Sequence, residues 1–253
     1  MEEILTNKRL ETIIQKLIIN GTLVSDPGLF HGKMGIAIFF FHYGCYITND
    51  LFQGYAMDLI DEIQAQITMN EPVRYDVGLA GIGVGIEYLI QKNFLEADAD
   101  DILSDFDERM CRVAMYEPYS DCSLEKGLIG WGRYFLYRLT NCSAGLSTKL
   151  YEALNHIIYV LEEVIKKDEL SETEKTDIFY FLKDLTQLPS YTNFNIGNIN
   201  ISHSKDNQKK PDSQILSTSN DMGLLEGYAY EGMNCLAKLG YTDDSWKQLL
   251  SNS

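Results

Sequence analysis

Closely spaced cysteines are missing from this sequence. Its five cysteines are an odd number, and no two of them have the spacing of a Cys-x-x-Cys motif. We therefore expect neither a disulfide framework nor a zinc knuckle. Cys45 and Cys235 lie in apolar runs typical of small buried residues, and Cys122 and Cys142 lie in predicted loops.

Long apolar runs and a basic leader are also missing. The longest apolar stretch, near Ile36 to Tyr43, is far shorter than the roughly 20 residues that span a bilayer. The first residues, "MEEILTNKRLETIIQKLIIN", are acidic and amphipathic, unlike a signal peptide. The sequence therefore predicts a cytoplasmic protein without a membrane span.

Basic residues are outnumbered by acidic ones, and the formal net charge is -16. This charge repels nucleic acids and anionic membrane surfaces, so we expect neither as a partner. It suits a cationic peptide or partner protein, although solubility alone also explains it.

Proline is scarce, with five in the chain, and strict alternation of polar and apolar residues is missing. Apolar residues instead recur at helical spacing. In "STKLYEALNHIIYVLEEVIKK" they are Leu150, Leu154, Ile157, Ile158 and Leu161. In "TNDLFQGYAMDLIDEIQAQI" they begin at Leu51, behind a cap at Thr48 or Asn49, and "ADADDILSDFDERMCRVAM" has such a stripe from Ile102. The pattern predicts one all-α domain over residues 1–253.

Glycine begins several strongly apolar segments. These segments are "LFHGKMGIAIFFFH", "LAGIGVGIEYLI", "LIGWGRYFLYRL" and "LLEGYAYEGMNCL", with anchoring glycines Gly32, Gly81, Gly130 and Gly227. The successive intervals are 49, 49 and 97 residues. This spacing predicts a fifth unit near residue 179, where "TEKTDIFYFLKDLTQL" has a helical pattern but no glycine.

Each unit combines a helix that is apolar on all sides with an amphipathic one. We expect the first kind to form an inner layer and the second an outer layer. Glycines at the start of inner helices then allow neighbours to approach closely. Helix pairs of this period form an open solenoid or a closed α/α toroid. Nucleotide binding is disfavoured because no strand precedes "GLAGIGVG" and its glycine spacing is wrong.

The segments "GLFHGKMGIAIFF", "GLAGIGVGIEYLI" and "GLIGWGRYFLYRL" resemble the repeats of lanthionine synthetase C-like proteins, from about Gly28 to Leu239. The resemblance implies an α/α toroid. It also implies the handling of a peptide substrate, because enzymes of that family add cysteine thiols to dehydroamino acids. Those enzymes use zinc held by two cysteines and a histidine. Their Trp-Cys-x-Gly and Cys-His-Gly motifs are absent, and Phe30-His31-Gly32 is the nearest match. We therefore expect no metal or cofactor and leave cyclase activity open.

Three residues near the repeat starts are candidates for catalysis: His31, Glu125 and Glu226. His31 next to a glycine is a candidate base, or else a polar residue at a loop. Glu125 and Glu226 are candidates for the carboxylate pair of a glycoside hydrolase on a related toroid, or else compensate helix dipoles.

Asp76, Trp131 and Tyr228 are candidates for lining a peptide or sugar groove, with core packing as the alternative for the aromatic residues. Residues 189–222 are rich in Asn, Ser and Lys and predict a long irregular loop. A non-catalytic interaction scaffold is the third functional alternative.

Overall fold

The computed structural model describes residues 2–68, 71–142, 147–167, 170–191 and 221–250. All regular elements in these ranges are helical, which confirms the all-α prediction there. The α-helices are α1 (Glu2–Asn20), α2 (Lys33–Ile47), α3 (Asp50–Gln66), α4 (Leu79–Gln91), α5 (Ala99–Ile102), α6 (Ser104–Tyr116), α7 (Leu128–Asn141), α8 (Ser147–Ile165), α9 (Glu172–Leu185) and α10 (Tyr228–Lys238). Short 3-10 helices cover Gly21–Leu23, Pro189–Tyr191 and Asp244–Leu250.

The helices form two layers. In the inner row, α10, α2, α4, α7 and α9 are neighbours in that order. In the outer layer, α1, α3, α6 and α8 pack on α10, α2, α4 and α7. The predicted order of an inner helix followed by its outer partner holds for α2, α4 and α7. It differs for α10, whose outer partner is the first helix of the chain.

Hydrophobic patterning explains which helix enters which layer. Every residue of α2 from 34 to 41 is buried, as expected for a helix packed on several sides. In α8 the buried stripe contains Leu150, Leu154, Ile157, Ile158 and Leu161, which confirms the predicted face. One hydrophobic core joins the two layers.

Two predicted outer faces are partly wrong. The side chain of Asn49 caps α3 as predicted, but Leu51 in the first turn is 79% exposed and the buried stripe starts at Ala56. Ile102 is 50% exposed because α5 ends there, and Leu103 between α5 and α6 is buried instead.

Glycines inside the inner helices leave room for side chains of the adjacent inner helix, instead of the backbone approach predicted at the helix starts. At Gly83, Gly85, Gly132 and Gly232, a Cβ atom would lie 2.3–2.6 Å from a side chain of the adjacent inner helix. The side chains met are Tyr134, Met34, Phe181 and Phe39, respectively. The predicted irregular loop at 189–222 lies mostly outside the described residues.

Candidate functional site

A seven-residue loop precedes each of the four glycine-led inner helices. Loops 1 to 4 are residues 26–32, 72–78, 121–127 and 221–227. In each loop, the N–H of the first helical residue donates to the C=O of the first loop residue. These closing bonds join Lys33 to Asp26 (2.8 Å), Leu79 to Pro72 (2.8 Å), Leu128 to Asp121 (3.0 Å) and Tyr228 to Asp221 (3.0 Å). The four loops are therefore equivalent units.

The last residue of every loop is a glycine that caps the following helix. A Cβ atom on Gly78 would lie 2.0 Å from the Pro72 carbonyl oxygen, which accepts the closing bond. The residues equivalent to Gly32 are thus Gly78, Gly127 and Gly227. The sequence alignment on Gly81 and Gly130 was wrong by three positions, because these glycines lie in the first helical turn.

Backbone hydrogen bonds join the four loops side by side. Leu225 N–H donates to Phe30 O (2.9 Å), and Phe30 N–H donates to Asp76 O (3.1 Å). Tyr75 N–H donates to Glu125 O (2.9 Å). The order is loop 4, loop 1, loop 2, loop 3, and we call this row of loops the rim.

Helix α9 is the fifth unit that the sequence predicts, and it lies beside α7 without a glycine loop. Two carboxylates take the place of loop carbonyls. Glu174 Oε1 accepts from Cys122 N–H (3.0 Å), and Asp177 Oδ2 accepts from Leu124 N–H (2.9 Å). Burial raises the pKa of Asp177 to about 6, although the Leu124 hydrogen bond opposes this shift.

His31 and Asp221 connect loops 1 and 4 through their side chains. His31 Nδ1 lies 2.5 Å from Asp221 Oδ2, with the two side chains 45% and 25% exposed. Asp221 Oδ1 accepts from the Gly223 N–H at 2.7 Å, which fixes the carboxylate. A carboxylate at Nδ1 orients an imidazole and makes Nε2 the atom that exchanges protons or contacts a ligand.

Asp76 is buried in loop 2 and is held by its own loop. Its Oδ1 accepts from Arg74 Nε (2.8 Å) and from Val77 N–H (2.9 Å). In neighbouring loop 1, burial raises the pKa of Asp26, and the hydrogen bond from the Gly28 N–H is the largest effect that opposes this shift. The Arg74 and Val77 contacts hold the Asp76 side chain within loop 2. The backbone C=O of Asp76 accepts the hydrogen bond from Phe30 N–H that joins loops 1 and 2.

Glu125 and Glu226 are exposed on loops 3 and 4. Glu226 has a φ of 59°, in the left-handed region. Loops 1 and 2 lie between their loops in the rim. A glycoside hydrolase needs two carboxylates about 5–10 Å apart on either side of one bond. The order of the loops separates the two glutamates and gives no specific support for that alternative.

The two aromatic candidates lie on α7 and α10, which are separated by α2 and α4 in the order of the inner row. Trp131 in α7 is 4% exposed, and its indole N–H has no hydrogen-bond partner among the described residues. Tyr228 begins α10 and is half-buried. It lines a pocket of about 330 Å³ with Lys16, Asn20, Leu23, Val24 and Met222. The position of Trp131 favours the core-packing alternative.

The cysteines do not fit the zinc that the family resemblance implies. Among the described residues, no group of three or more His, Cys, Asp or Glu side chains is arranged to hold a metal ion. Burial raises the pKa of Cys111 to about 11 and that of Cys122 to about 12, which disfavours the thiolate that binds zinc.

A second pocket, at the opposite end of α2 and α4, was missed by the sequence analysis. It has a volume of about 330 Å³ and is lined by His42, Cys45, Tyr46, Lys92, Phe94, Tyr241, Thr242 and Asp243. His42 Nε2 lies 2.7 Å from the Tyr88 hydroxyl, and burial lowers the His42 pKa to about 4. When the repeats are aligned on Gly32 and Gly78, His42 and Tyr88 both lie ten positions after the loop glycine. This shared position in two neighbouring units is the sequence feature that indicates the contact.

No described helix combines the length and apolar character needed to cross a membrane. Comparison with known proteins gives no match to a family model, to a curated protein or to a solved structure.

Proposed function

We propose that this chain is a lanthionine synthetase C-like protein that binds a peptide along the rim. The observation that carries the proposal is the alignment of four equivalent loops, which are hydrogen-bonded to one another and lie at the N-terminal ends of the inner helices. This arrangement presents a repeated polar surface long enough to accept a segment of chain. As part of the proposal, the inner row follows the curvature of an α/α toroid.

Charge identifies the class of peptide. The loops contribute six carboxylates and two basic side chains, Arg74 and Lys126. The carboxylates are Asp26, Asp76, Asp121, Glu125, Asp221 and Glu226. An acidic surface on a chain with a net charge of -16 attracts a cationic segment. Glu125 and Glu226 are the exposed members whose carboxylates are most accessible to lysine or arginine.

The proposal separates binding from cyclisation. His31, oriented by Asp221, is the rim group suited to contact a polar atom of the bound peptide. Because the thiols do not fit a zinc site, the proposed function is to hold a peptide, and no thiol addition is assigned to it. Stoichiometric zinc in the protein purified from its native host would contradict this separation.

The test is the binding of a fluorescein-labelled Lys/Gly peptide, measured by anisotropy, with a Glu/Gly peptide of the same length for comparison. We expect the cationic peptide to bind and the acidic one not to bind. The double variant Glu125→Gln/Glu226→Gln should weaken binding at least fivefold.

The matched control is Glu152→Gln/Glu162→Gln, which removes two exposed charges from outer helix α8. It should leave the affinity unchanged. Equal weakening by both double variants would show unspecific charge attraction and would overturn the rim as the site. A wild-type protein that binds neither peptide would favour the scaffold alternative.

A further inference from the structure

The segment Asp244–Leu250 lies on the inner side of the helix row. Trp246 packs edge-on against Tyr230 of α10, with ring centroids 5.5 Å apart. The hydroxyl of Tyr75, in loop 2, donates to the Leu249 carbonyl at 2.9 Å. Loop 2 and α4 are separated from α10 by α2, whose outer side is covered by α3. A segment that reaches both neighbours of α2 therefore crosses its inner face.

The segment also runs along α4 from one end to the other. Asp243, just before it, lies 3.8 Å from Lys92 at the C-terminal end of α4, and Leu249 reaches Tyr75 ahead of the N-terminal end. We call the surface formed by Tyr75, Tyr88, Lys92 and Tyr230 the axial groove.

Only one face of the segment enters the groove. Trp246 and Leu249 are fully buried, whereas Gln248 between them is exposed. In a 3-10 helix, residues three positions apart lie on the same face, so these two side chains form one anchor pair. Runs of 3-10 helix as long as seven residues are uncommon, which indicates that the groove imposes this conformation.

Two features bear on release of the segment. Gly240 has a φ of 77° and ends α10, with its N–H donating to Ala237 O (3.0 Å) and Tyr241 N–H donating to Leu236 O (3.0 Å), so α10 has its own cap before the segment begins. The indole N–H of Trp246 is buried without a partner in the described residues. Trp246 therefore fills the groove, but its indole N–H makes no hydrogen bond there.

We propose that the axial groove is a second peptide-binding site, specific for a Trp-x-x-Leu segment in a 3-10 turn, and that the chain's own residues 244–250 occupy it until such a peptide displaces them. This inference rests on the proposed function only in taking a peptide as the class of ligand. Its anchors are apolar, and its natural occupant, residues 244–250, has one acidic and one basic side chain, Asp244 and Lys247, so it is independent of the cationic peptide expected at the rim.

The probe is a fluorescein-labelled peptide that copies residues 242–250, "TDDSWKQLL". The full chain should bind it weakly, because the tethered segment competes at high effective concentration. The variant Trp246→Ala should bind it at least tenfold more tightly. The control variant Gln248→Ala, at the exposed position between the two anchors, should bind like wild type. A probe peptide carrying W246A should bind to neither.

Hydrogen exchange on the unmodified protein tests the same proposal if Trp246→Ala fails to fold. Amides of 244–250 should exchange at least tenfold faster than those of α2, and excess unlabelled probe should accelerate them further without affecting α2. Exchange of the segment together with α2, or equal probe affinity of folded Trp246→Ala and wild type, would overturn the proposal. The lysine peptide and the Glu125/Glu226 variants do not enter this test, so either proposal can fail alone.

Discussion

At the scale of single residues, burial determines the charge of His42. Its neighbours include Lys92, whose charge adds to the effect of burial, and Asp243, whose charge opposes it. The folded state therefore keeps the imidazole neutral down to a pKa of about 4, whereas an unfolded chain binds the proton near 6.5. The contribution of His42 to stability therefore falls as the pH drops below about 6.5, because only the unfolded state gains the proton there.

We predict that His42→Gln removes this loss. Between pH 7 and pH 5 the wild-type protein should lose about 1–2 kcal/mol of unfolding free energy through His42, and the variant should lose that much less. Urea denaturation at the two pH values measures the difference. Parallel losses in the two proteins would show that His42 is protonated in the folded state.

Glycine is required for different reasons at different positions. At Gly127 a Cβ atom would lie 2.1 Å from the Asp121 carbonyl oxygen, whereas at Gly54, on exposed α3, nothing lies within 4 Å. The first position closes a rim loop, and the second has no steric need for glycine.

We predict opposite effects for alanine at these two positions. Gly127→Ala should destabilise the fold by about 1–3 kcal/mol, because the loop must shift to accept the methyl group. Gly54→Ala should stabilise it by about 0.5–1 kcal/mol, because alanine restricts the unfolded chain. Thermal or urea unfolding of both variants measures the contrast, and changes of the same sign would refute the steric explanation.

At the scale of elements, α9 joins the rim through side chains instead of a loop. The closing carboxylate is Asp177, which burial shifts to a pKa of about 6. Because the folded state binds the proton more readily than the unfolded one, this group costs stability as the pH rises from about 4 to about 6.

Replacing that carboxylate by an amide keeps the acceptor for the Leu124 N–H and removes the charge. We predict that Asp177→Asn is about 1–3 kcal/mol more stable than wild type at pH 8, with the gain disappearing below about pH 4. Denaturant midpoints across this range measure it. Asp105→Asn, at an exposed position of α6, controls for the loss of one charge. A gain that does not vary with pH would contradict the assignment.

At the scale of the whole molecule, one buried guanidinium connects four helices. Arg138 of α7 contacts Glu87 of α4 (2.8 Å), Asp100 of α5 (2.9 Å) and Asp107 of α6 (2.8 Å). The Tyr134 hydroxyl donates to Asp107 as well, at 2.6 Å. The network links inner and outer helices, because carboxylates from three other helices contact the same cation.

Removal of that cation leaves the buried carboxylates of Glu87 and Asp107 without this opposite charge. We predict that Arg138→Met lowers the unfolding free energy by about 3–5 kcal/mol. The exposed pair of Lys166 and Glu163 is the contrast, and Lys166→Met should leave stability nearly unchanged. Chemical denaturation measures both. A small loss in Arg138→Met would mean that the carboxylates reach water or take up protons.

Periodicity predicted the elements whose environment is uniform along their length. The stripe from Leu150 to Leu161 and the all-round apolar α2 were correct, because each helix meets a single kind of surroundings. The predicted burial of Leu51 and Ile102 was wrong, because α3 starts next to Leu51 and α5 ends at Ile102, and the buried face changes at such ends. The alignment of the repeats on Gly32 and Gly81 was wrong, because Gly32 closes a loop whereas Gly81 lies in the first turn of a helix. In the sequence both are glycines in apolar segments, so the pattern does not separate them.

The candidate site was predicted in part. His31, Asp76, Glu125 and Glu226 were found from their position next to repeat glycines, and the structure places all four in rim loops. Asp221, the partner of His31, was missed because it is 190 positions away in the sequence. His42 was assigned to an aromatic stripe because its partner Tyr88 comes from another unit.

The sequence by itself determined that the described part of the chain is helical, that the glycine-led helices are largely buried, and that the repeat starts gather polar residues. These properties follow from the spacing of residues close together in the chain. Only the tertiary structure decided that α10 lies beside α2, that α1 covers it, and that residues 244–250 fill the inner side of the row. These placements depend on contacts such as that of Tyr75 with Leu249, 174 positions apart, for which no periodic pattern exists.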